Sequence, residues 1–197
     1  INKSKAKCCV LKKEYLKFLP SNISYVVVDD PYLVFALFSN FFSQKRISNG
    51  IISENINVDQ NANIKENVQI DNFTNIYENS VINNNVIIES NCTIGPNVFI
   101  SENVLISSNS SISNCIIGAN TVIKSGVVIG SEGFGFELKT KKRIKHMGNV
   151  VIGKDCYIGA FSYIGKHVKI GNNVKIYPNT FIGDNSVIGD NTVIFSG

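Results

Sequence analysis

The chain has 197 residues, of which 44% are hydrophobic and 17% charged, and its formal net charge is +4. This length and composition predict a folded chain of one or two domains and exclude a disordered one. No apolar run approaches the roughly 18 residues of a membrane span, and no signal peptide is recognisable, so we expect a cytoplasmic protein. Basic residues are not interleaved with aromatic ones, so we expect no nucleic-acid partner.

The first 47 residues lack any internal repeat and predict part of a small α/β domain. Residues 6–11 and 25–28 predict strands. The apolar residues of the second strand do not alternate with polar ones, which indicates burial on both faces.

A helix is predicted after the second strand. Asp30 is a good N-cap residue, and Pro31 suits the first helical turn. Residues 33–42 are apolar around most of this helix, which indicates packing on more than one side. So short a domain cannot supply all those contacts, and we therefore expect part of it upstream of Ile1.

Residues 48–197 are dominated by a period of six. An aliphatic residue, which we call the slot residue, recurs eleven times, then three times, then eight times, at Ile52, Val58, Ile64, Ile70, Ile76, Ile82, Ile88, Ile94, Ile100, Ile106 and Ile112, at Ile117, Ile123 and Ile129, and at Ile152, Ile158, Ile164, Ile170, Ile176, Ile182, Ile188 and Ile194. This period fits one short strand plus one corner per hexapeptide, with three corners to a coil. The fold predicted is a mainly β, parallel β-helix of about seven coils with an isoleucine core.

The residues around the slots predict the corners. Asparagine is frequent in the corners, and glycine often follows the slot, as at Gly95, Gly118, Gly153, Gly159, Gly171 and Gly183. Both residue types tolerate left-handed backbone angles, so we expect them to adopt such angles there.

The five cysteines are odd in number and contain no C-x-x-C pair, so neither a disulfide framework nor a metal site is expected. Cys92, Cys115 and Cys156 each lie two residues before a slot, where a small apolar group fits the core. We expect no cofactor.

Residues 130–149 leave the repeat and predict a loop excursion from the β-helix. The excursion contains Gly-Ser-Glu-Gly-Phe-Gly-Phe and then a basic stretch from Lys139 to His146. A charge run is often only a solvated loop. Alternatively, it forms an electropositive lip for a phosphorylated substrate or an acidic carrier protein.

The segments Ile129-Gly-Ser-Glu-Gly-Phe-Gly-Phe136 and Arg143-Ile-Lys-His-Met-Gly-Asn-Val-Val-Ile-Gly153 resemble the glycine–phenylalanine loop and the basic return of the UDP-3-O-acylglucosamine N-acyltransferases of lipid A biosynthesis. Asp30-Pro31-Tyr32 is also similar to the N-terminal domain of that family. These enzymes belong to the left-handed β-helix acyltransferases. The resemblance covers roughly residues 6–160.

The resemblance implies a left-handed β-helix, a uridine-binding type of domain in residues 1–47, and a homotrimer without metal. It implies transfer of a 3-hydroxyacyl chain from acyl carrier protein to the 2-amino group of a UDP-sugar, UDP-3-O-acylglucosamine. Residues of the excursion are then candidates for substrate binding: Gly133, Phe134, Gly135, Phe136 and His146.

The general base of the family is a histidine in an I-A-H-N hexapeptide, and a base is needed because the amine loses a proton as it attacks the thioester. In this chain Phe161-Ser-Tyr-Ile164 stands where the family has a T-T-I-D-R-G segment, and His167 lies one residue later than the family histidine. A one-residue shift redirects a side chain on a strand. His167 is therefore either the base or a surface histidine.

Residues 189–197 nearly repeat residues 118–126, so the last coils are either a duplication or a join of separate segments. Two other enzyme or non-enzyme functions stay open: another hexapeptide acyltransferase or acetyltransferase that uses coenzyme A, and a noncatalytic β-helix fragment. A structural or ice-binding β-helix would carry regular threonine rows, which this sequence lacks.

Overall fold

The computed structural model describes residues 6–43, 46–131, 135–144 and 148–196. The chain forms two compact units, Ile1–Arg46 and Ile47–Gly197. Among the described residues, no helix combines the length and the hydrophobicity that crossing a membrane requires.

The N-terminal unit contains the predicted strand, strand and helix. Strands β1 (Cys8–Leu11) and β2 (Ser24–Val27) pair in parallel, and a 3-10 helix (Lys13–Phe18) that was not predicted connects them. Helix α1 (Pro31–Phe42) follows. Its N-cap is Asp30, whose carboxylate accepts hydrogen bonds of 3.0 Å from two backbone N–H groups of the first turn.

The expectation that β2 is buried on both faces is wrong for the described unit. The side chains of Tyr25, Val26 and Val27 are all exposed, because β1 is the only strand that pairs with β2 among the described residues. Helix α1 likewise has no buried residue, and Phe41 is 83% exposed. The apolar residues of this unit therefore do not form a closed core.

The second unit is the predicted parallel β-helix, so the predicted fold class is confirmed. Three seven-stranded sheets form its faces. Face 1 contains β3 (Asn57–Val58), β6 (Asn75–Ile76), β9 (Thr93–Ile94), β12 (Ser111–Ile112), β15 (Val128–Ile129), β18 (Tyr163–Ile164) and β21 (Phe181–Ile182). Face 2 contains β4 (Asn63–Ile64), β7 (Val81–Ile82), β10 (Val98–Ile100), β13 (Cys115–Ile117), β16 (Val150–Ile152), β19 (Lys169–Ile170) and β22 (Val187–Ile188). Face 3 contains β5 (Gln69–Ile70), β8 (Ile87–Ile88), β11 (Leu105–Ile106), β14 (Val122–Ile123), β17 (Tyr157–Ile158), β20 (Lys175–Ile176) and β23 (Val193–Ile194).

The slot residues form the core, as predicted. From Ile70 to Ile176 every slot isoleucine is almost completely buried, and each pairs in register with the slot residue one coil away, as Ile94 does with Ile76 and Ile112. The position two residues before the slot also points inward and holds mostly small residues. Cys92, Cys115 and Cys156 are three of these, and all are buried as expected.

The corners are built on a left-handed residue three positions before the slot. This residue is usually asparagine, with φ between 45° and 64° at Asn67, Asn79, Asn85, Asn91, Asn97, Asn103, Asn109, Asn114, Asn120, Asn173, Asn179, Asn185 and Asn191. Several of these amides donate to the next amide along the same edge, for example Asn85 Nδ2 to Asn103 Oδ1 at 3.2 Å. The frequent asparagines thus adopt left-handed backbone angles as predicted, and their side-chain hydrogen bonds also connect successive coils.

The glycines that follow the slots divide into two groups. Gly95 and Gly130 have the positive φ expected of them, 106° and 70°. The others have a different role. Gly118, Gly153 and Gly159 do not have positive φ. A Cβ atom at Gly153 would instead lie 2.5 Å from the carbonyl oxygen of Gly171, and one at Gly159 would lie 2.3 Å from the nitrogen of Pro178. Glycine is therefore required there because the next coil approaches closely, not because of backbone conformation.

Candidate functional site

The excursion leaves the β-helix at one particular corner. Strand β15 on face 1 ends at Ile129, and strand β16 on face 2 begins at Val150. The excursion therefore replaces the corner between face 1 and face 2, which we call corner 1–2. The next coil passes this corner between β18 and β19, and His167 lies there.

His167 occupies the left-handed position that asparagine occupies in other coils. Its φ is 60°, and its side chain is exposed. In the next coil along the same edge, Asn185 has φ 64° and its Oδ1 lies 3.0 Å from His167 Nδ1. His167 therefore belongs to a corner and not to a strand, so the alternation of side chains along a strand does not set its direction.

The return of the excursion packs against His167. Gly148 has φ 124°, and a Cβ atom at this position would lie 3.2 Å from both Cβ and Cγ of His167. A side chain at position 148 would thus crowd the imidazole. The structure brings together two features that the sequence singled out separately, the excursion and the candidate base.

An aromatic pair lies on face 1 beside this corner. The rings of Tyr163 and Phe181 stack with centroids 5.0 Å apart and an interplanar angle of 6°. Partial burial, and then the nearby carboxylate of Asp184, raise the pKa of the Tyr163 phenol. Asp184 also accepts a hydrogen bond of 2.8 Å from the backbone N–H of Lys166. The site around His167 is thus a corner with an imidazole, a carboxylate and an aromatic surface.

The described middle of the excursion, residues 135–144, is a hairpin. Phe136 pairs with Arg143 in an antiparallel bridge, and the Ile144 N–H donates to the Gly135 carbonyl at 2.8 Å. Residues 136–144 are all exposed. The hairpin therefore projects from the β-helix without being buried against it.

A carboxylate braces the turn of this hairpin. Glu137 accepts hydrogen bonds of 2.8 Å from the Lys139 N–H and of 2.6 Å from the Thr140 N–H, and another of 2.7 Å from the Thr140 hydroxyl. These donors, with the backbone N–H of Lys139 contributing most, lower the pKa of the Glu137 carboxyl. The negative charge of Glu137 is thus stabilised by hydrogen-bond donors within the turn itself.

The predicted substrate-binding residues are only partly placed. Gly135 and Phe136 lie in the hairpin, and Phe136 is 41% exposed. Gly133, Phe134 and His146 lie outside the described residues. The roles of all five stay predictions. Sequence reasoning missed Asn185 as a partner of His167, although the 18-residue coil length would have placed it there.

Comparison with known proteins agrees with the fold. Residues 149–184 and 161–196 match the family profile described as bacterial transferase hexapeptide (six repeats), and residues 76–160 match the GMPPB C-terminal domain. No curated protein sequence matches the chain. The fold and the repeat together define a hexapeptide-repeat β-helix, and the repeat is of the type found in bacterial transferases.

Two solved structures illustrate this similarity. UDP-N-acetylglucosamine acyltransferase of Francisella novicida has a TM-score of 0.52 and 24% identity over 73% of this chain. A mutant of the N-acyltransferase AntD of Bacillus cereus, in complex with dTDP-4-amino-4,6-dideoxyglucose and coenzyme A, has a TM-score of 0.52 and 19% identity over 73% of this chain. The chain spans 55% of the Francisella protein and 76% of AntD. At these identities, the similarity shows a shared fold.

Proposed function

We propose that this protein is an N-acyltransferase that acts on the amino group of a nucleotide-linked sugar. The observation that carries the proposal is the position of His167 at the corner where the excursion returns, against Gly148. The sequence of that excursion resembles the UDP-3-O-acylglucosamine N-acyltransferases. The similar solved structures support acyl transfer to a nucleotide-linked sugar, since one is a UDP-N-acetylglucosamine acyltransferase. The other is an N-acyltransferase that holds an amino sugar on a nucleotide, which supports the amino group as the acceptor.

The specific reaction proposed is transfer of a 3-hydroxyacyl chain from acyl carrier protein to the 2-amino group of UDP-3-O-acylglucosamine. The amine nitrogen attacks the thioester carbonyl, the carbon–sulfur bond breaks, and the carrier leaves as a thiolate, which then takes up a proton from the protonated base to become a thiol. The attacking nitrogen loses one proton in this step, and a general base accepts it.

His167 has an arrangement that suits it as this base. If its Nδ1 carries the proton and donates to Asn185 Oδ1, the lone pair of Nε2 is available to accept a proton. The exposed position of the side chain leaves it open to a substrate. Asn185 would then fix the tautomer and the orientation of the ring.

The homotrimer implied by the resemblance stays a prediction. Face 2 has an apolar outer stripe that such an assembly would cover. Phe99 pairs in register with Val81 and Ile116, Ile116 pairs with Val151, and Phe99, Ile116 and Val151 are exposed. At the levels of Phe99 and Ile116, the outer residues of face 1 are the polar Thr93 and Ser111.

A histidine-to-asparagine substitution tests the proposed base without disrupting the corner. Asparagine suits the left-handed angles at position 167 and can donate to Asn185 as in the other coils. We expect His167→Asn to lower the rate of acyl transfer by about 10²–10⁴-fold, the usual contribution of a general base. The control is Asn179→Ala at another corner with nearly the same φ, 58°, which should leave the rate nearly unchanged.

The assay uses UDP-3-O-acylglucosamine with 3-hydroxyacyl donors on acyl carrier protein and on coenzyme A. Full activity of His167→Asn would show that His167 is only a corner residue. Transfer from coenzyme A alone would replace the proposed donor and favour the coenzyme A-dependent alternative. A folded wild-type chain that uses neither donor would contradict the proposed acyl transfer and favour a noncatalytic β-helix.

A further inference from the structure

The exposed hairpin of residues 135–144 combines two kinds of side chain that the acyl-transfer proposal does not require. Residues 135–144 contain four cationic side chains and one carboxylate. The cations are Lys139, Lys141, Lys142 and Arg143, and the carboxylate is Glu137. The carboxylate of Glu137 accepts hydrogen bonds from the turn, so it is held close to the backbone. The outer surface of the hairpin is therefore strongly basic.

Apolar side chains lie among these cations. Leu138 is at the turn, next to Lys139, and is 81% exposed. Ile144 is 52% exposed. This leucine lies between Glu137 and Lys139 and contributes nothing to the core of the β-helix. Together with Ile144 and the lysines, it offers a partner both apolar contact and positive charge.

The shape of the hairpin distinguishes between possible partners. The turn is convex, and its backbone is held by hydrogen bonds of 2.9 Å between Glu137 and Lys142 and between Lys141 and Glu137. A preformed convex element that presents a leucine at its turn, followed along the chain by lysines, suits the interface of an anionic bilayer. There, the tip enters the boundary between headgroups and acyl chains while the cations contact the headgroups. An acidic protein would match the charges but would also need a cleft for Leu138.

We infer that the hairpin of residues 135–144 docks this protein on the surface of a membrane that contains anionic phospholipids. This interaction is peripheral and goes beyond the proposed acyl transfer. It would hold corner 1–2, with His167, near the bilayer surface, because the excursion leaves the β-helix at that corner.

Cosedimentation of the full chain with vesicles tests the inference. Vesicles of phosphatidylcholine containing one third phosphatidylglycerol are compared with vesicles of phosphatidylcholine alone. We expect binding to the anionic vesicles only, and we expect it to weaken as salt is added, because screening reduces the attraction of exposed charges. Lack of binding to anionic vesicles at low salt would overturn the inference.

Two variants examine the two kinds of side chain. The double variant K139Q/K142Q should lower the partition coefficient about twenty-fivefold, at roughly fivefold per cation near an anionic surface. Leu138→Ser keeps every charge and should lower the partition coefficient about tenfold if the leucine enters the interface. The matched control is K154Q/K169Q, which removes two exposed lysines of the β-helix outside the hairpin and should bind like the wild type.

Further outcomes would also overturn the inference. Equal loss of binding in K139Q/K142Q and in K154Q/K169Q would show that only net charge matters. Wild-type binding by Leu138→Ser would show that no apolar insertion occurs. Acyl carrier protein binding that depends on Lys139 and Lys142, without vesicle binding, would make the hairpin a docking site for an acidic protein. Because the altered side chains are exposed, the variants should melt at the wild-type temperature.

Discussion

The β-helix and the N-terminal unit are both rich in apolar residues, but they differ in how they bury them. In the β-helix, Ile94 is completely buried between the slot residues of the coils on either side. In the N-terminal unit, Tyr32 and Phe41 of helix α1 are 82% and 83% exposed. Each coil of the repeat finds its packing partner 18 residues away along the same chain. Helix α1 has no such built-in partner, so its hydrophobicity alone does not lead to burial.

The largest predicted effect follows from burying a polar group in the isoleucine core. Ile94→Asn removes a fully buried side chain and introduces an amide with no assured partner, so we expect a loss of about 4 kcal/mol in the free energy of unfolding. Phe41→Asn in helix α1 should cost less than about 1 kcal/mol, because the side chain is exposed. Chemical denaturation followed by circular dichroism measures both variants. Unchanged unfolding of Ile94→Asn would contradict the register described above.

A smaller effect is expected at the glycines where successive coils meet. In Gly153→Ala, the new methyl group would lie 2.5 Å from the Gly171 carbonyl oxygen, so we expect a loss of about 1–3 kcal/mol. Gly183→Ala serves as the control, since the nearest atom to its methyl group would be a ring carbon of Phe181 at 3.6 Å. This control should change the free energy of unfolding by less than about 0.5 kcal/mol. Equal effects of the two variants would show that the coils do not approach as closely as described.

The reactivity of the cysteines allows burial in the two units to be compared within one molecule. Cys8 is exposed and Cys9 partly exposed, whereas Cys92, Cys115 and Cys156 are buried in the β-helix. We therefore expect a thiol reagent to modify the first two rapidly in the native protein and the other three only on unfolding. Rapid modification of all five in a folded sample would mean that the β-helix opens readily.

The buried thiols also predict a pH dependence of stability. Burial is the main cause that raises the pKa of the Cys92 thiol from 9.0 to about 11. The unfolded chain then releases its proton at a lower pH than the folded one. The contribution of Cys92 to stability is fully present below pH 9 and is lost between pH 9 and about 11. Replacing Cys92 by alanine should reduce this loss, and an identical pH profile in that variant would contradict the assignment.

Much of the fold could be predicted from sequence because a six-residue period has few physical solutions. The slots, the small residues two positions before them and the asparagine corners all follow from local spacing. The role of Gly153 was mispredicted, because the reason for glycine there is the approach of Gly171 from the next coil. The burial of β2 was mispredicted as well, since burial depends on covering layers that a local pattern does not reveal.

The candidate site was less predictable for the same physical reason. The sequence singled out His167 and the excursion, but it treated His167 as a residue whose register on a strand mattered. The structure places His167 in a left-handed corner, with Asn185 on one side and Gly148 on the other. Both contacts join residues that are 18 or 19 positions apart in sequence.

The sequence by itself determined that the chain coils with a period of six and that isoleucines fill the coil, because a repeated apolar position has to face inward. Only the tertiary structure decided which outward residues become neighbours. Stacking brings Asn185 and the return of the excursion at Gly148 to His167. It also leaves the hairpin of residues 135–144 outside the core, where its cations and Leu138 face solvent.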